Sequence, residues 1–221
     1  MKKINVLCAI LLIICIPIIT LTFSANIVVK YPAVLVYYLN DSQVMKYTDM
    51  DLTSDELANK TGSFFLGFDD NEQITEDTGY TQDPVFTDKE MEILLEIRHV
   101  VNAMLLAGII ALVVFVAVFI YLVRAKEKDL IWKYCKRGVI VAAVINAVYC
   151  VLWAIPSIRS FFYDSLTNVI LDKDSNLYLI GTKGDWSTVM IVAHAIIAVV
   201  LILLICYITR KITRSRRIFT R

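Results

Sequence analysis

Residues 87–123 read TDKEMEILLEIRHVVNAMLLAGIIALVVFVAVFIYLV, and the fold turns on whether this stretch is one helix or two elements. Thr87 with Glu90 three residues later is the pattern of a helix N-cap and its acidic partner. Met91, Leu94, Leu95 and Arg98 then fall at helical spacing on one side, and Ile93, Ile97 and Val100 on an adjacent one. From Val100 to Val123 there is no Lys, Asp or Glu, and the run exceeds the roughly 20 apolar residues that cross a hydrocarbon core. The spacing predicts a charged amphipathic helix that continues without a break into a membrane span.

Residues 4–23, 138–158 and 186–208 are three further apolar stretches of spanning length. With 58% hydrophobic residues and a mean hydropathy of +0.66, the chain is expected to be an all-α polytopic membrane protein with four transmembrane helices. Lys2 and Lys3 precede the first span, Arg124, Lys126, Lys128, Lys133, Lys136 and Arg137 lie between the second and third, and RKITRSRRIFTR closes the chain. Basic residues in short loops stay cytoplasmic, which predicts cytoplasmic termini. The expected order is a signal-anchor helix (1–25), an extracytoplasmic domain ending in an amphipathic helix (26–99), span two (100–123), a basic cytoplasmic loop (124–137), span three (138–158), an extracytoplasmic loop (159–185), span four (186–208) and a basic tail (209–221). A cleaved signal peptide fits less well, because the apolar core is long and Phe23 would stand three residues before a cut after Ala25.

The near-neutral total of +1 hides a separation of charge: residues 26–98 carry 15 Asp and Glu against 5 Lys and Arg. The basic residues are juxtamembrane, where they meet anionic headgroups, so membrane lipids are expected partners and nucleic acid is not. Cys8, Cys15, Cys135, Cys150 and Cys206 all fall in spans or in the basic loop, which leaves no expected extracytoplasmic disulfide and no Cys-based metal site.

Within residues 26–99, IVVKYPAVLVYYL (27–39) is β-branched and aromatic, as a short strand or an interfacial segment would be. In LTSDELANKTGSFFLGF (52–68), Thr53 or Ser54 caps a helix with Glu56 as partner and Gly62 near its end. Phe64, Phe65, Leu66 and Phe68 give the domain something to bury, and DDNEQITEDTGYTQDP (69–84) reads as a mobile acidic loop.

Asp172, Asp174 and Asn176 begin like a calcium loop, but Leu177 replaces the required Gly and Lys183 the required Glu. No metal and no cofactor is expected, and Walker, Rossmann, His-Glu-x-x-His and Gly-x-Ser-x-Gly patterns are absent. Polar residues in spans are functional suspects, which singles out Asn102, Asn146 and His194. His194 lies eight residues beyond Trp186, about 12 Å along a helix. Each also has a bland reading as an interhelical hydrogen-bonding group. The two histidines, His99 and His194, and carboxylates such as Glu90 and Glu96 are the candidates for acid-base work.

The whole arrangement resembles the Lit family, the lipoprotein intramolecular transacylases of Gram-positive bacteria, and the resemblance implies a bacterial plasma membrane. The family's Thr-x-x-Glu-x-x-His-Met-x-Asp-Val-Lys pattern is echoed by Thr87, Glu90, Leu94, Glu96, Ile97 and Arg98, with Ile93 where the family has histidine. Its paired Phe and following Leu-Asp pattern is echoed by Phe161, Phe162, Leu171 and Asp172, and 156–160, just ahead, holds none of the family's second histidine. The resemblance implies a site that takes a lipid or a lipoprotein acyl chain in the outer leaflet, among spans two, three and four. Family enzymes move an acyl chain from the diacylglyceryl group to the amine of the N-terminal Cys, which needs a base. Here both family histidines are missing, and His99 cannot replace one at position 93, because six residues leave the two roughly 120° apart on a helix. Three readings follow. One is a Lit-like lipid-binding protein without the transacylase activity, with Arg98, Asn102, Asn146 and Asp172 as lipid-contacting or structural polar residues. The second is an acyltransferase using His99 or His194 with Glu90 or Glu96. The third is a structural or regulatory membrane subunit with a protein-binding outer domain.

Overall fold

A computed structural model describes residues 2–48, 50–67, 73–77, 82–158, 174–182 and 186–213. Helix α1 spans Lys2–Lys30, α2 Pro32–Ser42, α3 Ser54–Leu66, α4 Asp88–Arg124, α5 Lys128–Ala154, α6 Asn176–Thr182 and α7 Trp186–Thr213, with a two-stranded hairpin of β1 (Thr75–Asp77) and β2 (Gln82–Pro84) between α3 and α4. Four of these, α1, α4, α5 and α7, are long and apolar enough to cross a membrane. The protein is a multi-pass, mainly helical membrane protein.

Helix α4 is the unbroken element that 87–123 predicts. Its 37 residues reach about 55 Å, against a hydrocarbon core of about 30 Å, so several turns are left outside the core. Helix α5 starts at Lys128, so much of the basic connection is helical. Its end at Ala154 precedes Pro156, and the residue before a proline is biased away from helix.

The chain divides into two compact units. The first comprises Met1–Ser24, Met104–Tyr149 and Ala195–Arg221. Its buried cluster joins Ala9, Leu12 and Ile16 of α1 to Phe119 and Leu122 of α4 and to Ile131, Cys135 and Ala142 of α5. Small residues set the close approaches: a Cβ on Gly138 would stand 2.8 Å from Ile16 Cδ1 and 3.2 Å from the Ile13 Cα. Asn5 donates to Glu127 Oε1 (3.0 Å) and accepts from the Tyr121 hydroxyl (3.2 Å), fastening the start of α1 to the α4–α5 turn.

The second unit comprises Ala25–Ala103 and Cys150–His194. Its core gathers Tyr38, Leu39, Val44, Leu57, Phe64, Phe65, Ile74, Val85, Phe86, Met91 and Leu94. Two sequence expectations are corrected here and a third is sharpened. The strand reading of 27–39 falls, because 27–30 close α1 and 32–39 lie in α2 with extended Tyr31 between them: Pro32 takes the first turn of α2, where its missing N–H costs nothing, and α2 buries Tyr38 and Leu39. Thr53 and Glu56 form the capping box of α3, and Gly62 lies near its end, while the residue that stops the helix is Gly67, with φ +77. Gly62 sits inside α3 because a Cβ there would stand 2.8 Å from Pro32 Cγ, so it marks a helix crossing. The stretch 69–84 holds an antiparallel hairpin pairing Thr75 with Pro84 and Asp77 with Gln82. Burial of Ile74 and Val85 and the Val85 N–H donated to Ile74 O (2.9 Å) outweigh its polar composition. Leu66 is exposed, and Phe68 lies outside the described residues.

Candidate functional site

The first turn of α4 builds the best-defined polar centre. The Thr87 N–H (2.7 Å) and hydroxyl (2.9 Å) both donate to Glu90 Oε2, while the Glu90 N–H donates to Thr87 Oγ1 (3.4 Å). The other carboxylate oxygen, Oε1, accepts the Leu177 N–H of α6 at 2.6 Å. Glu90 is 1% exposed, so a carboxylate that reads in sequence as a cap also holds down a second element. Around it, Asn176 Nδ2 donates to Val85 O (3.0 Å), the Tyr38 hydroxyl donates to Ile180 O, and Tyr38 meets Trp186 edge-on at 4.8 Å between ring centroids.

One turn further along α4, Ile93 is buried at 5% exposure. Glu96 and His99 are exposed. Arg98 is half-buried, with its guanidinium carbon 4.9 Å from the Phe64 ring centroid. Asn102 accepts the Lys30 ammonium at 2.7 Å. The structure therefore brings Arg98 and Asn102 together with Lys30, which sequence reasoning did not single out. Its signal is weak: one lysine closing an apolar helix, on the side where the charge rule expects few.

The other candidates stand apart. Asn146, 5% exposed, donates to Thr20 Oγ1 (3.0 Å) and to Ala142 O (2.8 Å), joining α5 to α1. His194 is buried in α7 at 2% exposure. Asp172, with Phe161, Phe162 and Leu171, lies outside the described residues. Among the described residues no three His, Cys, Asp or Glu side chains gather into a metal site. A separate open groove of about 860 Å³ between α2 and α3 is lined by Tyr31, Val36, Tyr37, Asp41 and Asp55, and none of the sequence candidates faces it.

No family profile and no curated protein matches this chain. Solved structures do. The membrane-integral lipoprotein intramolecular transacylase Lit from Bacillus cereus matches with a TM-score of 0.75 at 14% identity, over 98% of this chain and 99% of that one. Two structures of Lit variants with one histidine replaced, by arginine or by alanine, also match at a TM-score of 0.75, with 14% and 12% identity and 98% of this chain covered in each case. At this identity the likeness establishes the fold.

Proposed function

We propose that this Lit-fold membrane protein binds a lipid or the acyl chains of a lipoprotein and lacks the transacylase activity. The whole-chain likeness, which covers 98% of this protein and 99% of Lit, carries the substrate class. The side chains around the start of α4 support the loss of chemistry. Ile93 is a buried aliphatic group with no proton to move. Glu90, the nearest buried carboxylate, is committed to the Thr87 N–H and hydroxyl and to the Leu177 N–H. A base must reach the proton it abstracts, and a carboxylate bonded on both oxygens within the fold is poorly placed for that.

The test is mass spectrometry of the N-terminal lipopeptide of a reporter lipoprotein, with this chain expressed in a diacyl-lipoprotein host devoid of Lit. The expected product is the unchanged diacyl form. A lyso form, with one acyl chain on glycerol and one on the amine, would overturn the proposal and direct attention to His99, which is exposed on α4. The reading as a protein-binding subunit draws support from the α2–α3 groove, where exposed Tyr31 and Tyr37 stand beside Asp41 and Asp55. Co-purification of a stoichiometric protein partner, lost on Tyr37→Ala, would favour it.

A further inference from the structure

Residues 26–98 hold three times as many acids as bases, yet two of the bases gather about the Asn102 amide, with no acid among the described residues paired to either. Lys30 is the last residue of α1, and its ammonium donates to Asn102 Oδ1 at 2.7 Å. Arg98 is four residues before Asn102 on α4, on the same helix face, so both cations gather about one side-chain amide. The Phe64 ring lies 4.9 Å from the guanidinium carbon, and Gly67 runs so near that a Cβ there would stand 3.0 Å from Arg98 Nη2. Among the described residues, neither cation has a carboxylate within ion-pair distance.

A lysine at a helix C-terminus offsets the partial negative charge of the last carbonyls, which accounts for Lys30 alone. It gives no reason for a second cation beside it, since gathering like charges is unfavourable. The location supplies one. Arg98 and Asn102 straddle Val100, where the apolar stretch of α4 begins, and Lys30 closes α1, so composition puts all three at span ends, where headgroups are expected to meet the hydrocarbon. The donors on hand are the remaining ammonium hydrogens, the guanidinium fork and the Asn102 Nδ2 amide. That set matches a singly charged phosphodiester, which guanidinium groups bind through paired hydrogen bonds.

We propose that Lys30, Arg98 and Asn102 form a binding site for the phosphate of a membrane phospholipid. The site deepens the lipid-binding reading and rests on it for the source of the anion, because inorganic phosphate offers the same chemistry.

The full-length protein in neutral detergent separates the possibilities. Native mass spectrometry reads retention of phosphatidylglycerol and of diacylglycerol with the same chains, and calorimetry reads inorganic phosphate. Phosphatidylglycerol retained well above diacylglycerol, and falling as salt rises, is the expected result. Lys30→Gln and Arg98→Gln should each lower its retention about tenfold, and Arg98→Lys should restore part of it. Because Arg98 also packs on Phe64 and beside Gly67, Lys30→Gln and Arg98→Lys keep the test valid if Arg98→Gln fails to fold. Equal retention of the two lipids overturns the phosphate site while leaving acyl-chain binding intact. Retention of neither lipid overturns both, as does binding of inorganic phosphate alone. Unchanged phosphatidylglycerol retention in Lys30→Gln overturns the assignment of these residues.

Discussion

A carboxylate removed from water needs hydrogen bonds to offset its lost hydration, and Glu90 finds three, from the Thr87 N–H, the Thr87 hydroxyl and the Leu177 N–H. Truncation to alanine removes the carboxylate half of the capping box of α4, leaving the Thr87 hydroxyl as its cap, and leaves the Leu177 N–H without its acceptor. Glu90→Ala should therefore lower stability by about 2–3 kcal/mol, read as a fall in thermal midpoint in detergent. Faster hydrogen exchange in α6 should accompany it. Glu96→Ala, at an exposed site, should stay within about 0.5 kcal/mol of wild type, and equal effects at the two positions would remove the structural role assigned to Glu90. Glu56 caps α3 in the same manner but in the open. The Thr53 N–H, and after it the Thr53 hydroxyl, hold its carboxyl below the ordinary value. A group whose value is lowered by folding contributes stability above its unfolded value, near 4.3, and loses that contribution as pH falls through the lowered folded value. Protection of the amides in the first turn of α3, relative to their intrinsic exchange at each pH, should fall over that acidic window, and Glu56→Gln should abolish that fall. Both boxes were legible in sequence, since three-residue spacing is local. The pairing of Lys30 with Asn102 was not, because it joins positions 72 residues apart.

Between elements, glycine records where helices touch. A methyl on Gly138 would press on Ile16 Cδ1 at 2.8 Å, which a flexible side-chain end can relieve, and on the Ile13 Cα and Leu12 O at 3.2 Å, which move only with the backbone of α1. The strain of Gly138→Ala is a few tenths of an ångström at the backbone and is offset by the higher helix propensity of alanine, so the substitution is expected to cost little, and Gly138→Leu about 1–3 kcal/mol by overpacking. Thermal unfolding of the two variants in one detergent measures the difference, and similar midpoints would mean that α1 and α5 do not cross closely at this point. The same physics explains which elements the sequence misplaced. The β-branched run 27–39 favours strand locally, but α2 gains by packing Tyr38 and Leu39 into the core, and tertiary burial overrides such propensities. Gly62 looks like a stop and is a contact with Pro32, whereas Gly67 is the stop because its backbone is left-handed. The hairpin at 75–84 escaped notice because its two strands have three residues each, too few for an alternating pattern to show.

At the scale of the molecule, the four spanning helices were legible because a membrane span is a composition as much as a pattern, and helices α1, α4, α5 and α7 each include their predicted apolar stretch for most of its length. Orientation rests on charge. Arg124, Lys126, Lys128, Lys133, Lys136 and Arg137 cluster around the α4–α5 turn, while residues 26–98 are strongly acidic. Basic residues near span ends resist transfer across the membrane, so the turn should face the cytoplasm and the acidic segment the outside. Asn59 and Lys128 are both exposed, which makes them suitable reporters. The native cysteines, all free thiols within helices α1, α5 and α7, give the background that wild type measures. On intact cells a membrane-impermeant maleimide should label Asn59→Cys above that background and should label Lys128→Cys only after permeabilisation. The reverse pattern would invert the protein. The capping centre at Glu90 and the cation pair at Lys30 and Arg98 would then face the cytoplasm, out of reach of lipoproteins anchored in the outer leaflet. Lipoprotein binding would have to be abandoned, whereas a phosphate site at the inner headgroups would remain to be tested.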